Sequence, residues 1–313
     1  MNNTECTSAP RSLLDAIVIG EALIDVVATP ERTIEHPGGS PTNVAYGLGR
    51  LGVDVGLLTA IGNDERGAAI EAQLDTAGVR LLAGSQGLPR TSTATVTLAD
   101  DGSANYAFDI AWELDPVPPA FLPRLVHTGS IATFLAPGAG AVKQLLQHWH
   151  GDSVITYDPN IRPSLLGSHA EALSIFEDLI HLTDVVKLSD EDAKWLYPRK
   201  DLDQIATHLL WSGVDLAVIT RGSQGSLLAT AASRVTVPSV ESTVADTIGA
   251  GDSYTSALIL GLLSRGTNDL APADLEQIGR TASMAAAITV RRPGANPPTL
   301  EELHSHLGDF TAA

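Results

Sequence analysis

The chain has 313 residues, of which 44% are hydrophobic and 18% are charged, so it is long enough for one large α/β domain or for a large domain with a small appendage. Its formal net charge of -18 argues against a general nucleic-acid or membrane-surface binder, because both partners favour a basic face. The single cysteine, Cys6, excludes a disulfide framework or a cysteine-based metal site within one chain, as is typical of a reducing compartment. No signal peptide and no apolar run of membrane-spanning length is recognisable, so we expect a cytoplasmic protein.

The first part of the chain alternates apolar strands with helices. The run AIVIG (16–20) suits a strand buried on both faces, and a Gly-rich turn then leads into a helix over 38–53. A further buried strand is predicted over 54–64 and an amphipathic helix over 66–79. This alternation predicts a mostly parallel sheet with crossover helices.

Two segments interrupt this pattern. Residues from about 90 to 113 alternate polar and apolar side chains around the turn signal DDGS, which predicts an antiparallel hairpin with one wet face. The stretch 29–39 is predicted to be a related short strand pair. Together the two insertions could form a small sheet that acts as a lid over a substrate, the alternative being an edge hairpin without a role.

From residue 125 the alternation of strands and helices resumes, and we predict a single domain over 13–313 behind a flexible tail of residues 1–12. In open parallel sheets, ligands bind beyond the carboxyl ends of the strands. We therefore expect the residues that follow the strands to meet on one rim. These residues are Asp25, Asp158 with Asn160 and Arg162, Lys187 through Asp192, and Thr220 through Gly225.

The segment DTIGAGDSY (246–254) places glycines before an acidic residue where a helix is expected to begin. Glycines let main-chain N–H groups approach a ligand, and a helix N-terminus carries unpaired donors and partial positive charge. The structural reading is a helix start whose glycines serve packing alone. The functional reading is phosphoryl transfer, in which N–H groups from Ile248 to Asp252 hold phosphoryl oxygens and Asp252 accepts the proton of an attacking hydroxyl.

Three other motifs on the expected rim each have two readings. ITRGSQG (219–225) is either a tight turn or a backbone cradle for nucleotide phosphates, and it lacks the lysine of a P-loop. YDPNIRPS (157–164) is either an Asp-Pro turn or a phosphate site in which Arg162 supplies N–H donors. VVKLSDED (185–192) is either a solvated helix start or water-mediated support for Mg²⁺.

Taken together, these motifs resemble the pfkB family of carbohydrate kinases over most of the chain. Both family signatures are present in order, as GGSPTNVAYGLGRLG and DTIGAGDSYTSALILG, and GEALIDV, DPNIR and KLSDED are similar to the fructokinase branch. The resemblance implies a ribokinase-like α/β fold, in which a central, mostly parallel twisted sheet is flanked by helices and carries a small β-sheet lid. It also implies ATP and Mg²⁺ as cosubstrates.

The resemblance implies roles for individual residues as well. Asp252 matches the catalytic base, Gly249, Ala250 and Gly251 match the anion hole, and Arg162 matches a basic position near the transferring phosphate. The implied nucleotide-binding residues are Lys187, Thr220, Gly222 and Gly225. The implied substrate contacts are Asp25, Gly39, Asn43, Arg90, Phe108, Asp158 and Asn160.

The implied metal sites depart from the family pattern. The family's Asn-x-x-Glu element is here Ser189 to Asp192, which leaves Asp192 as the carboxylate for a Mg²⁺-bound water. Asp246 and the carbonyl of Ile248 could hold a monovalent cation, while Pro298 stands where some relatives offer a hydroxyl. Activation by K⁺ therefore stays open.

The sequence is thus interpreted as an ATP-dependent sugar kinase that converts fructose to fructose 6-phosphate. The main alternative is 2-keto-3-deoxygluconate kinase, which would need an additional base facing the sugar. Ribokinase and nucleoside kinase are further alternatives, although the 4% of aromatic residues offers little for a base sandwich. A non-catalytic sugar-binding regulator is the alternative outside enzymes. We expect no nucleic-acid or membrane partner, and two copies could pair through the lid sheet.

Overall fold

The computed structural model describes residues 14–29, 32–98, 104–119 and 121–310. The expected tail, with Cys6, and the DDGS turn of the expected hairpin lie outside these residues. Within the described ranges, no helix is both long and apolar enough to cross a membrane.

Nine of the described strands form one large sheet. In spatial order they are β15 (Arg234–Val237), β14 (Ser226–Ala229), β13 (Leu216–Thr220), β12 (Val185–Ser189), β11 (Val154–Asp158), β10 (Leu125–Gly129), β1 (Ala16–Ile19), β4 (Val55–Leu58) and β6 (Arg80–Leu81). Every pair from β6 to β13 is parallel, and β14 and β15 add antiparallel pairs at one edge. The predicted mostly parallel sheet is confirmed.

Helices cover both faces of this sheet. On one face lie α3 (Gly138–Trp149), α4 (His169–Ile180), α5 (Asp190–Leu196) and α6 (Leu202–Trp211). On the other lie α1 (Ser40–Arg50), α2 (Glu65–Asp75), α7 (Ala250–Arg265), α8 (Pro272–Thr289) and α9 (Leu300–Phe310). Strand β1 is buried on both sides, with Ile17 and Ile19 in one core and Ala16 and Val18 in the other, which explains its uninterrupted apolar sequence.

A second sheet of four strands has the order β3 (Thr33–Gly38), β2 (Leu23–Ala28), β8 (Ser92–Leu98) and β9 (Ala104–Asp109). Strands β8 and β9 pair antiparallel, as the hairpin prediction required. The prediction of a strand pair within 29–39 is wrong, because its described part supplies β3 alone. Strand β3 pairs along its whole length with β2, so its sheet partner is the preceding strand and not a second strand within 29–39.

The remaining pair of strands joins β5 (Ile61–Gly62) to β7 (Gln86–Leu88). The single strand predicted over 54–64 is therefore divided into β4 and β5. The four residues of β4 all lie in the large sheet, whereas β5 leaves it to pair with β7.

The strand order of the large sheet reverses between β1 and β10. Strands β4 and β6 extend the sheet on one side of this point, and β11, β12 and β13 extend it on the other. A crevice opens at the carboxyl ends of strands where such a reversal occurs, and ligands bind there in open α/β sheets. The loops that follow β1 and β10 both begin at this crevice. Strand β2 of the small sheet follows β1 closely in the sequence.

Candidate active site

Asp252 lies in the first turn of α7 and is held by two donors from the start of α1. The hydroxyl of Ser40 donates to Asp252 Oδ1 at 2.6 Å, and Nδ2 of Asn43 donates to Oδ2 at 2.8 Å. Only 9% of Asp252 is exposed. Burial raises the pKa of Asp252, although the hydrogen bonds from Ser40 and Asn43 act in the opposite direction. The result is an oriented carboxylate of increased basicity, which suits a general base.

The two helices can meet this closely because Gly47 of α1 has no side chain. A Cβ at Gly47 would collide with the Oγ of Ser256 in α7. Ser256 itself donates to the carbonyl of Val44 at 3.1 Å, which joins the helices directly behind the carboxylate.

The loop before α7 depends on Gly249. This residue has a φ of 74°, in the left-handed region, and a Cβ added there would lie 2.7 Å from the Cβ of Ala295. Gly249 is the N-cap of α7, and no side chain caps the helix. Ala250 N already donates to the carbonyl of Thr247 at 3.3 Å, so the N–H groups left to an anion are those of Gly251 and Asp252. The helix dipole favours negative charge at this end.

Lys187 and Asp158 form a buried ion pair beside this helix start. Lys187 Nζ lies 2.7 Å from Asp158 Oδ2, with Asp158 at the carboxyl end of β11 and Lys187 in the middle of β12. Burial acts to lower the pKa of Lys187, but the carboxylates of Asp158, Asp192 and Asp252 together outweigh burial and raise it. The site therefore favours the charged form of Lys187.

Asp25 reaches the site from the small sheet rather than from the end of a strand in the large sheet. Burial raises the pKa of Asp25 to about 6, with His36 and Arg162 opposing the shift and Asp252 adding to it. The charges of Asp252 and Arg162 therefore both affect the pKa of Asp25. Arg162 Nη1 donates to Oδ1 of Asn160 at 2.7 Å, so the DPNIR segment holds its own guanidinium.

Gly39, the N-cap of α1, has a φ of 100°, and a Cβ there would lie 2.6 Å from the carbonyl oxygen of Glu21. Its close approach keeps the start of α1 against the loop after β1. Arg90 and Phe108 lie farther out. Arg90 pairs with Asp109 at 2.5 Å, and 39% of Phe108 is exposed on β9.

The ITRGSQG segment forms a tight connection between β13 and β14. Gly222 and Gly225 have φ values of 52° and 84°, and a Cβ at Gly225 would collide with the carbonyl of Val237. Thr220 Oγ1 donates to the carbonyl of Leu188 at 3.2 Å. The turn reading thus accounts for the glycines, and the nucleotide role of this loop stays a prediction.

The two carboxylates predicted to serve metals both accept main-chain hydrogen bonds. Asp192 accepts from Ile161 N at 2.9 Å and from Ser189 N at 3.2 Å, and with Ser189 it forms the capping box of α5. Asp246 accepts from Ile248 N at 3.0 Å and from Gly294 N at 2.9 Å. Across the described ranges, no group of three or more His, Cys, Asp or Glu side chains is placed to hold a metal ion.

Sequence reasoning missed three residues at this site, Ser40, Glu21 and Thr255. Ser40 lies inside the GGSPTN motif and Glu21 inside GEALIDV, but nothing local distinguished their side chains from capping or packing groups. Glu21 is 4% exposed and accepts from Ala132 N at 3.1 Å. Burial raises the pKa of Glu21 to about 7, with Ser130 and main-chain donors opposing the shift and Asp252 adding to it.

Comparisons with known proteins identify the family of this chain. The family model described as pfkB family carbohydrate kinase matches residues 14–302. A fructokinase of Rhizobium leguminosarum bv. trifolii is 33% identical over 255 residues, which is 78% of each chain. An uncharacterized sugar kinase of Pyrococcus horikoshii, solved in complex with ATP, has a TM-score of 0.77 and 29% identity and covers 93% of this chain and 97% of its own. A fructokinase of Xylella fastidiosa with bound ATP has a TM-score of 0.81 at 23% identity, covers 96% of this chain and 100% of its own, and shares the fold.

Proposed function

The chain belongs to the pfkB family of carbohydrate kinases and is an ATP-dependent sugar kinase, and we propose that it phosphorylates fructose to fructose 6-phosphate. The observation that carries this proposal is the buried Asp252 carboxylate, oriented by Ser40 and Asn43 at the uncapped start of α7. The choice of fructose is supported by the names of similar proteins, among them the Rhizobium fructokinase.

In the proposed reaction, Asp252 accepts the proton of the primary sugar hydroxyl as that oxygen attacks the γ-phosphorus of ATP. The bond between the γ-phosphorus and the β,γ-bridging oxygen breaks, and ADP leaves. The hydrogen bonds from Ser40 and Asn43 hold the carboxylate in one orientation, so little reorganisation is needed when the proton moves. The N–H groups at the start of α7 stabilise charge on the transferring phosphoryl group. Arg162, held by Asn160, supplies a further positive charge from the DPNIR segment.

Sugar hydroxyls need hydrogen-bond partners that reject analogues lacking them, and Asp25 and Asn43 provide such partners in this proposal. Oδ1 of Asn43 is buried and has no hydrogen-bond partner among the described residues, although its Nδ2 is bonded to Asp252. An unpaired buried acceptor of this kind is costly unless a ligand donor fills it. A sugar hydroxyl is the donor that we assign to it.

Mg²⁺ would enter with the phosphates of ATP. Asp192 and Asp246 already accept main-chain hydrogen bonds at both oxygens, so they retain limited capacity for a metal. This donor set fits an ion that keeps several waters and is held mainly by the nucleotide, as Mg²⁺ prefers. We assign the water-mediated contact to Asp192 and a K⁺ contact to Asp246 with the Ile248 carbonyl, and a comparison of rates in KCl and NaCl tests the second assignment.

We propose that the small sheet closes over the sugar. We also propose that the small sheets of two copies of the chain pair to form a dimer. His36, Asp25, Ala94 and Phe108 lie opposite one another across its four strands and therefore share one face. Asp25 faces the sugar in this proposal, and Phe108 continues the face outward. Light scattering after gel filtration would give the mass of a monomer if the pairing is wrong.

The test of the substrate is an ADP-release assay with ATP and Mg²⁺ against fructose, 2-keto-3-deoxygluconate, ribose, tagatose and adenosine. We expect kcat/KM to be highest for fructose. A preference for 2-keto-3-deoxygluconate would point to Arg162 as the partner of the substrate carboxylate, because the charge of Arg162 already affects the pKa of Asp25. Binding of a sugar without turnover would indicate a regulator.

A further inference from the structure

Lys187 is unusual among the cations of this protein. Of the lysines and arginines that the structure describes, it alone is buried, with 6% of its surface exposed. Its partner Asp158 is 1% exposed. Removing two charges from water costs several kcal/mol per ion, and apolar residues of similar volume at the same positions would not carry this cost. Stability alone is therefore a weak reason for such a pair.

The position of the ammonium supplies another reason. A Cβ built on Gly251 would lie 3.3 Å from Lys187 Nζ, which places the charge directly against the first turn of α7. Gly251 immediately precedes Asp252, and the N–H groups of this turn are the ones assigned to the phosphoryl oxygens. A fixed charge in a dry site stabilises developing negative charge far more than the same charge in water.

Asp158, the partner of Lys187, also contacts α7. Its Oδ2 accepts from Lys187 Nζ at 2.7 Å and lies 3.2 Å from the hydroxyl of Thr255. Thr255 is one turn beyond Gly251 in α7 and lies 3.0 Å from the carbonyl of Gly251. The Asp158 carboxylate therefore connects Lys187 to Thr255, one turn along α7 from Gly251, and it is enclosed from solvent.

We propose that Asp158 is a positioning residue that holds the Lys187 ammonium against the start of α7, where its charge adds to the anion hole. The inference rests on the proposed phosphoryl transfer and gives Asp158 a role other than the sugar contact expected from the sequence. Lys187 acts from within the protein rather than as a solvent-exposed nucleotide ligand. No proton is transferred in this proposal.

A double-mutant cycle separates this role from a purely structural one. Lys187→Met and Asp158→Asn each leave one buried charge without its partner, so each is expected to lower both Tm and kcat. The double variant Lys187→Met/Asp158→Asn removes both charges and is expected to recover most of the lost Tm. Its kcat is expected to stay about 100-fold or more below that of the unmodified protein, with the KM for fructose little changed, because an anion-hole charge acts mainly in the transition state.

Recovery of kcat together with Tm in the double variant would overturn the proposal, because the pair would then serve folding alone. A second comparison tests the proposal even if the double variant fails to fold. Thr255→Val removes the hydroxyl beside Asp158, and Thr183→Val is its matched control, because Thr183 is also buried and bonds the carbonyl four residues earlier. Only Thr255→Val is expected to lower kcat, and equal kcat values in the two variants would also overturn the proposal.

The base variant Asp252→Asn shows which hypothesis fails. If it loses turnover while the double variant keeps it, phosphoryl transfer by Asp252 stands and the role of Asp158 is wrong. If Asp252→Asn keeps normal turnover, the proposed function itself is wrong.

Discussion

Asn43 donates to Asp252 across 2.8 Å although the two residues are 209 positions apart in the chain. The bond joins the first turns of α1 and α7, which approach each other because Gly47 leaves room for Ser256. The orientation of the proposed base is therefore set by a helix from the other signature motif. This contact makes the two motifs one site.

Replacement of the base is the most direct prediction. Asp252→Asn keeps the size of the side chain but cannot accept a proton, so kcat should fall by about 10²- to 10⁴-fold, the usual contribution of general base catalysis. Fructose affinity by calorimetry should change little. The exposed Asp178→Asn is the control, and near-normal turnover of Asp252→Asn would refute the assignment.

Loss of the Ser40 hydroxyl should shift the pH dependence of turnover. The hydrogen bond from Ser40 lowers the pKa of Asp252, so Ser40→Ala should raise that pKa and move the acidic limb of the kcat profile to higher pH. The control is Ser264→Ala, which removes an exposed hydroxyl from α7, the helix that carries Asp252. An unchanged acidic limb in Ser40→Ala would mean that another group controls it.

The loop before α7 should tolerate no side chain at Gly249. Gly249→Ala combines a φ of 74° with a collision against Ala295, whereas Gly266→Ala has a φ of 80° and no atom within 4 Å of the added Cβ. Both variants should lose about 1 kcal/mol for the left-handed backbone. Only Gly249→Ala should lose more in urea unfolding and also lose kcat. Equal losses in the two variants would exclude the packing argument.

Glu21 should make stability depend on pH. Burial raises the pKa of Glu21 from 4.5 to about 7, so the folded state binds this proton more tightly than the unfolded state. The stabilisation from the proton on Glu21 is complete below the pKa of Glu21 in the unfolded chain and is lost as pH rises toward 7. The loss is roughly 3 kcal/mol, because one pKa unit corresponds to 1.36 kcal/mol. Glu21→Gln should flatten this decline in urea unfolding, whereas the exposed Glu301→Gln should not. A decline of equal slope in Glu21→Gln would assign it to other groups.

Asp25 should link sugar affinity to pH. Because burial raises the pKa of Asp25 to about 6, its carboxylate becomes protonated below that pH and loses acceptor capacity for sugar hydroxyls. The KM for fructose should therefore rise as pH falls through 6, while KM for ATP changes less. Asp25→Asn should raise the KM at every pH and abolish this dependence. A normal KM in Asp25→Asn would remove Asp25 from the sugar site.

Local motifs indicated much of the candidate site. The glycines before Asp252, the amide of Asn43 and the basic Lys187 were all recognisable because they lie in short segments that combine turn formers with chemically active groups. Ser40 and Glu21 could not be distinguished in this way. A serine at a helix start and an acid after a strand have ordinary local explanations, and only their distant partners show otherwise.

The alternation of apolar strands and helices was enough to predict the parallel sheet, since burial on both faces demands uninterrupted apolar strands such as β1. It was also enough to locate the β8–β9 hairpin, because period-two patterning is a local property. The pairing of β3 with β2, the approach of α1 to α7 and the burial of the Lys187–Asp158 pair were decided only by the tertiary structure. These features depend on which distant surfaces meet, and the cost or gain of burying a charge is set by neighbours that no local sequence window contains.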